Sequence, residues 1–318
     1  MKKLILTLGL ALSCFGATAE TFPSKPLTLI VPYTAGGSSD ALARALGQSV
    51  SKQTGQSVVI ENRPGGSTVI GAQGLLSKPD DGHAALLIAA SFVINPYLLN
   101  KLPYDSERDF QAVTQLASNP HVLVVSPNVP ANNLSEFLAW AKKPETKGSF
   151  SSFGNGSSGH LGFELLKKHA GLDMLHVPYK GSAPATMAVL SGEVDATLGD
   201  VGVVMPHILG GKLKAIAITG TERSPGLPNV PTFDESGLKG YSSQTWMGLL
   251  VSSGVPAERV QRLNELFVSA LQQPEVQAIL AQQGMQARPS SPEAFKAFMA
   301  SEGAKYKTAI QESNARID

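Results

Sequence analysis

The sequence predicts an α/β protein of two lobes joined by two chain crossings, and three observations carry that prediction. Strand-like and helix-like segments alternate along most of the chain, the pattern of mainly parallel sheets. The alternation breaks near Phe110–Pro127 and again at Tyr241–Val251, where extended apolar stretches come without the expected helix. Two glycine- and serine-rich loops, Tyr33-Thr34-Ala35-Gly36-Gly37-Ser38-Ser39-Asp40 and Phe153-Gly154-Asn155-Gly156-Ser157-Ser158-Gly159-His160, each end a strand and open a helix.

The chain has 318 residues, 42% of them hydrophobic, with a formal charge of +1, which describes a soluble globular protein large enough for two domains. Lys2 and Lys3, an apolar run from Leu4 to about Leu12, and Ala17-Thr18-Ala19 have the form of a secretory signal, so cleavage is expected after Ala19. No later segment reaches the run of about 18 apolar residues that a membrane span needs. The single cysteine, Cys14, falls inside the signal, which leaves the mature chain without a thiol for a disulfide, a metal or a nucleophile. A lipidated Cys14 is the alternative, against which stands Ala11 where a large aliphatic residue is usual. Removing residues 1–19 takes away two lysines and no acid, turning +1 into −1. That balance gives no reason to expect nucleic acid.

In the first lobe, Pro26–Pro32 reads as a buried strand and Ser39–Thr54 as a helix with Ala41, Leu42, Ala45 and Leu46 inward. Ser57–Glu61 is a second strand, Asn62-Arg63-Pro64-Gly65-Gly66 a turn, Ser67–Ser77 a helix, and Ala84–Ala89 a third strand after Pro79-Asp80-Asp81-Gly82. Two apolar runs, Ala112–Leu116 and Val122–Val125, then carry the chain across. The second lobe alternates helix Leu134–Lys142, strand Ser149–Phe153, helix Ser158–Ala170, strand Met174–Val177, helix Ala183–Leu190, strand Val194–Leu198, helix Val201–Leu209 and strand Leu213–Thr219. A loop-rich stretch, Gly220–Gly240, precedes the return crossing. Helical patterns at Pro256–Leu271, Glu275–Gln283 and Pro292–Glu312 are expected to pack on the first lobe. The boundaries that follow are a signal at 1–19, first-lobe residues 20–118, second-lobe residues 119–240, and a return strand with C-terminal helices at 241–318.

Ligands of such α/β folds bind beyond the carboxyl ends of the strands, where both loops lie. Helix starts present free N–H donors and the positive end of the macrodipole, so the loops suit an anion, although a capped turn would look the same. Gly154 to Gly159 satisfies the G-x-G-x-x-G spacing of dinucleotide sites, but the strand after it leads into Pro178-Tyr179-Lys180 with no acid for a ribose. Tyr179-Lys180-Gly181-Ser182-Ala183-Pro184 is a third loop at a helix start, with Gly181 and Ser182 as backbone contacts and Lys180 either a charge partner or a solvated lysine. His160, beside a positive helix end, is expected to stay neutral and to touch either ligand or helix. Asp200 either caps the helix at Val201 or points into the cleft to select a ligand with a donor group. Asp40 reads as a first-turn helix acid; Tyr33, Phe153 and Trp246 are apolar walls or, for Trp246, packing between lobes. The remaining histidines are scattered without metal-site spacing, no G-x-S-x-G occurs, and Gly66–Gly71 lacks the Walker A lysine, so no metal, cofactor or catalytic residue is expected.

Taken in order, Phe22-Pro23-Ser24-Lys25-Pro26, Val31 to Asp40, Val59-Ile60-Glu61-Asn62-Arg63-Pro64-Gly65-Gly66, Leu102-Pro103-Tyr104-Asp105, Gly154 to His160, His176-Val177-Pro178-Tyr179-Lys180-Gly181, Gly211-Lys212-Leu213-Lys214-Ala215 and Asn229-Val230-Pro231-Thr232 form a pattern. Over essentially the whole mature chain it resembles the Bug family of periplasmic substrate-binding proteins, the TctC-like receptors of tripartite tricarboxylate transporters. The resemblance implies a two-lobe Venus-flytrap fold of the periplasmic-binding-protein type with two hinge crossings. It also implies closure on a small carboxylate, a di- or tricarboxylate or an aromatic acid, largely through backbone amides. Carried over by position, it implicates Tyr33, Thr34, Ala35, Gly36, Gly37 and Ser38 in one lobe and Phe153, Gly154, Gly156, Ser157 and Ser158 in the other, with His160, Gly181, Ser182 and Asp200 beside them. The chain departs from the usual family pattern at Thr34-Ala35 and Gly199-Asp200-Val201-Gly202.

The reading is therefore a non-enzymatic periplasmic receptor, a monomer whose partners are a small carboxylate and the membrane subunits of the transporter. Two alternatives remain at this point: a periplasmic sensor that presents its closed form to a signalling receptor, and an exported enzyme using His160 or Asp200 as a base.

Overall fold

A computed structural model describes residues 22–313; the expected cleavage after Ala19 and Cys14 lie outside the described residues. In chain order the elements are β1 (Leu27–Val31), α1 (Ser38–Thr54), β2 (Val58–Asn62), a 3₁₀ turn at Gly66–Thr68, α2 (Val69–Leu76), β3 (Ala84–Ala89), α3 (Ala90–Leu98) and β4 (Phe110–Val125). The second half adds α4 (Leu134–Ala141), β5 (Ser149–Ser152), α5 (Ser158–Ala170), β6 (Leu175–Pro178), α6 (Ser182–Ser191), β7 (Ala196–Asp200), α7 (Val201–Leu209) and β8 (Lys214–Ile218). The chain closes with β9 (Gln244–Ser252), α8 (Ala257–Leu271), α9 (Pro274–Gln282), β10 (Gln286–Ala287) and α10 (Pro292–Ser313).

The alternation expected from the sequence is present, with three differences. First, Ala112–Leu116 and Val122–Val125 are not separate strands but parts of the continuous β4. Pro120, which has no N–H to give, stands where β4 changes partners: it is the last residue paired with β9, and His121 is the first paired with β7. Second, α3 follows β3 with no loop between them, and neither glycine nor a capping side chain marks its start. Third, the helix expected from Ser67 begins only at Val69, because Ser67 and Thr68 have φ of 53° and 80°. Buried Asn95 holds that turn, its Nδ2 donating to Ser67 O (2.7 Å) and its Oδ1 accepting from Ser67 Oγ (3.2 Å).

The strands follow the order β2-β1-β3-β9-β4-β7-β5-β6, with β10 on the first part of β4 and β8 on the second. β4 is thus the spine of both halves. Directions follow from the pairing: β3 and β4 are both antiparallel to β9, and β1 is parallel to β3, so β1 and β3 run with β4 toward Pro120. β7 is antiparallel to β4, and β5 and β6 are parallel to β7, so they run toward His121 from the other side. The strands β1 and β3 of the first half and β5, β6 and β7 of the second therefore all point their carboxyl ends toward the same junction.

Apolar side chains fill both faces of each half. Leu42, Leu46, Leu87, Leu116, Leu249 and Phe267 pack on one face of the first, under α1, α8 and α9. Ile88, Phe92, Trp246, Phe295 and Tyr306 pack on the other, under α3 and α10. Leu161 of α5 belongs to this latter cluster, so a helix of the second half packs on the first.

Candidate functional site

Five helices begin where these strands end: α1 after β1, α3 after β3, α5 after β5, α6 after β6 and α7 after β7. Each start exposes unbonded N–H groups and the positive end of a macrodipole, so the junction is electropositive without a cluster of cations. Lys180 is the only lysine or arginine in the strand-to-helix connections of these five, and it is exposed. Among the described residues no group of His, Cys, Asp and Glu is placed to hold a metal ion.

In the first half, Thr34 to Ser38 are exposed. The loop is fixed from below by Asp40, which is 4% exposed. Its Oδ2 accepts from Gly36 N–H (3.0 Å) and Arg44 Nε (2.9 Å), and its Oδ1 accepts from Asn62 Nδ2 (3.0 Å). Arg44 chiefly, with the Gly36 amide, pulls the Asp40 carboxyl down to about 2. Asp40 is thus a first-turn helix acid, as its position suggests, and also the clamp of the glycine loop. Asn62 Nδ2 also donates to Tyr33 O (3.2 Å), and the Tyr33 and Ser91 hydroxyls share a hydrogen bond of 3.2 Å. Burial raises the Tyr33 phenol to about 12. Ser91 lies in the first turn of α3, which puts that helix start beside the Tyr33 loop.

In the second half, Gly156 takes φ of 72°, open to glycine at little strain, and its N–H donates to His160 Nδ1 (3.1 Å). A ring nitrogen that accepts carries no proton, so His160 is neutral, with its hydrogen on Nε2. Burial first, then His176 and Lys167, lower it to about 3. Its ring stacks on His176 at 3.8 Å, and His176 Nε2 bonds the Ser152 hydroxyl at 2.6 Å. Ser157 caps α5, its hydroxyl accepting from His160 N–H (3.2 Å), while its own N–H goes to Gly154 O (3.1 Å). Gly181 N–H donates to Phe153 O (3.1 Å), tying the third loop to the second.

Asp200 occupies the cap position of α7 yet makes no side-chain cap bond. Its Oδ1 instead accepts from Thr245 Oγ1 (2.9 Å), at the start of the return strand β9. Desolvation raises its carboxyl, against the lowering effect of Thr245 and of the Ser182 hydroxyl beside it. Thr245 also bonds Ser158 Oγ (3.3 Å) and His121 Nε2 (3.2 Å), and Phe153 meets the His121 ring edge-on at 5.7 Å. The structure thus gathers Phe153, Ser158, Ser182 and Asp200 around the junction, and His160 stays one turn away within α5. Trp246 lies elsewhere: it is fully buried, donates from Nε1 to Glu302 Oε2 (3.0 Å), and packs edge-on to Phe295 and Phe298.

Sequence reasoning missed Ser91, His121, Ser243 and Thr245. No local signal marks Ser91, because the chain passes from β3 into α3 at Ala89-Ala90 with neither a turn residue nor a capping side chain. For the crossing residues the signal is three polar residues, His121 on one crossing and Ser243 and Thr245 on the other, in the only two stretches that break the alternation.

A sequence profile of the tripartite tricarboxylate transporter family receptor matches residues 42–315. Protein BugT of Bordetella pertussis is 30% identical over 323 residues, covering 100% of this chain and 99% of its own. A TctC solute-binding protein from Polaromonas is 32% identical with a TM-score of 0.81, over 92% of this chain and 100% of that one. A protein of R. palustris solved with adipate is 29% identical with a TM-score of 0.80 over 93% and 100%, and MatC of Rhodopseudomonas palustris, with bound malate, is 29% identical with a TM-score of 0.76 over 91% and 100%.

Proposed function

Since the chain belongs to the tripartite tricarboxylate transporter receptor family, we propose that it captures a small carboxylate in the periplasm and presents it to the membrane subunits of a tripartite tricarboxylate-type transporter. The observation that carries this reading is the convergence of five helix starts on the Pro120–His121 junction with one exposed lysine among their loops. Such a site attracts an anion by aligned backbone donors rather than by an ion pair. The mature chain begins at Glu20, its lobes divide near residues 118 and 240, and it acts as a monomer.

The ligand lies between Tyr33–Ser38 and Phe153–Ser158, with Gly181, Ser182 and Asp200 at its side. Not every amide of those loops is available to it. Gly36, Gly154, Gly156 and Ser157 already donate within the protein, and the first helical amides, Ser38 and Ser39 of one helix start and Ser158 and Gly159 of the other, are the gripping donors. Closure turns on the two crossings, which are adjacent antiparallel strands paired from Phe110 with Ser252 to Pro120 with Gln244.

The test is a carboxylate panel in thermal-shift and calorimetric titrations, with small-angle scattering for compaction on saturation. Gly37→Val is the informative variant. Gly37 has φ of −82° and an added Cβ meets nothing closer than Thr34 O at 3.7 Å, so the fold tolerates it while ligand approach is blocked. Binding should be lost at an unchanged ligand-free melting temperature; normal binding by Gly37→Val would place the carboxylate elsewhere. Ser38→Ala, which keeps the amide, should lose only about 1 kcal/mol.

A further inference from the structure

Asp200 is an acid at a junction built for anions, and no lysine or arginine is paired with it among the described residues. Its side chain remains 21% exposed, so it is neither sealed into the core nor free in solvent. One oxygen, Oδ1, is taken by Thr245 Oγ1, while Ser182 stands beside the carboxylate with its own hydroxyl buried and without a hydrogen-bond partner. The nearest ring nitrogen, His121 Nε2 at 3.8 Å, belongs to an imidazole that burial keeps neutral, so it offers no compensating charge. The adjacent start of α7 leaves the carboxylate without a side-chain cap bond.

A plain dicarboxylate brought against this group meets a like charge. A ligand that offers a hydrogen-bond donor there meets a vacant acceptor instead, and an ammonium also cancels the charge.

Resting on the carboxylate-receptor reading, we infer that Asp200 with Thr245 and Ser182 forms an acceptor subsite that selects carboxylates bearing a hydroxyl or ammonium donor over their unsubstituted counterparts. Asp200 is the specificity-determining residue, and the helix starts remain the carboxylate grip. The two parts discriminate independently: the grip reads the anionic end and Asp200 reads the substituent.

The experiment compares skeleton-matched acids by calorimetry at pH 7: succinate, malate and aspartate, then glutarate, 2-hydroxyglutarate and glutamate. The wild type should bind a hydroxyl- or ammonium-bearing member at least about tenfold more tightly than the unsubstituted acid of the same length. Asp200→Asn, which keeps size and removes charge, should cut an ammonium preference by about tenfold while the unsubstituted acid binds equally or better. Asp200→Ala should erase a hydroxyl preference as well. Ligand-free melting temperatures verify that each variant is folded, and Ser182→Ala supplies a milder change in the same subsite should Asp200→Ala not fold. Equal or tighter binding of the unsubstituted acids by the wild type overturns the inference and leaves the receptor reading intact. Loss of all carboxylate binding in Asp200→Asn also overturns it, since the grip would then depend on that side chain. If no carboxylate binds the wild type, both readings fail together.

Discussion

His121 Nε2 lies 3.8 Å from Asp200 Oδ1, and the Thr245 hydroxyl stands between them, 3.2 Å from the one and 2.9 Å from the other. The three residues come from β4, β7 and β9, so this bridge fastens both crossings to the end of the second half's central strand. The shorter bonds favour one proton arrangement. Thr245 gives its only hydrogen to Asp200 and accepts from His121 Nε2–H; Nδ1 then carries no hydrogen and accepts from Ser243 Oγ at 2.8 Å, in preference to the 3.4 Å bond that Ser243 Oγ would otherwise give to Ser158 O.

The first prediction follows from that arithmetic. Nitrogen NMR should show His121 as the neutral Nε2–H tautomer at pH 7. His121→Phe, an aromatic ring without hydrogen-bonding nitrogens, removes the bonds to the Ser243 and Thr245 hydroxyls and should cost about 1–3 kcal/mol in urea unfolding. A protonated ring at neutral pH would refute the assignment.

Acid should weaken the fold before the carboxylates titrate. Burial lowers His121 and His160 from 6.5 to about 3, so between those values the unfolded chain binds protons that the native state refuses. Stability therefore falls as pH drops below 6.5, by up to about 1.4 kcal/mol per pH unit for each histidine. Asp40, lowered from 3.8 to about 2, extends the loss below pH 4. Asp200 acts in the opposite sense, because its raised pKa lets the native state hold a proton more tightly, but it is one group against three, since burial lowers His176 as well, to about 4. Urea midpoints at pH 7, 6, 5 and 4 test the sign: a flat profile across that range would contradict it.

Much of this fold was legible because local pattern and tertiary role agree. The Ser38–Thr54 and Ser158–Ala170 helices, their glycine-rich entries and the strands before them are written in apolar periodicity and turn chemistry, which act over a few residues. The start of α3 was not legible, since Ala89-Ala90-Ser91 carries no punctuation and the helix is fixed by Phe92, Ile94 and Leu98 packing into the core. The role of His121 was equally hidden: its partners are 98, 122 and 124 residues away. The glycine loops could be recognised as anion-type turns, but not which amides are already engaged, because the Gly36–Asp40 and Gly156–His160 bonds depend on side-chain direction rather than on spacing.

The strained turn at Ser67 and Thr68 gives a third prediction. Positive φ at two residues with side chains persists only where surroundings hold it, and Asn95 is that support, with 0% exposure and bonds to both ends of Ser67. Asn95→Leu keeps the branched shape and removes the bonds, leaving Ser67 O unsatisfied. It should destabilise by about 1–3 kcal/mol, and Ser67→Gly should recover part of that loss by relieving the backbone strain. No recovery would mean that the turn is held by other contacts.

The last prediction concerns how the second half is pressed against the return crossing. α5 begins at the cleft with Ser158 and packs Leu161 into the Trp246–Tyr306 cluster of the first half. One residue on, Gly162 lies so close to Ser243 that an added Cβ would overlap its Oγ and stand 2.9 Å from its Cβ, while Gly162 O accepts from the buried Tyr241 hydroxyl at 2.8 Å. The helix that carries the second gripping loop is therefore seated on the crossing with no spare room. Gly162→Ala should push α5 off Ser243 and cost about 1–3 kcal/mol, more than Tyr241→Phe, which loses one hydrogen bond and about 1 kcal/mol. Gly162→Ala combined with Ser243→Gly should be less damaging than the two single costs added, because removing the Ser243 side chain makes the room that the new methyl needs. Additive costs in that double-mutant cycle would mean that α5 and the crossing are not in contact as described.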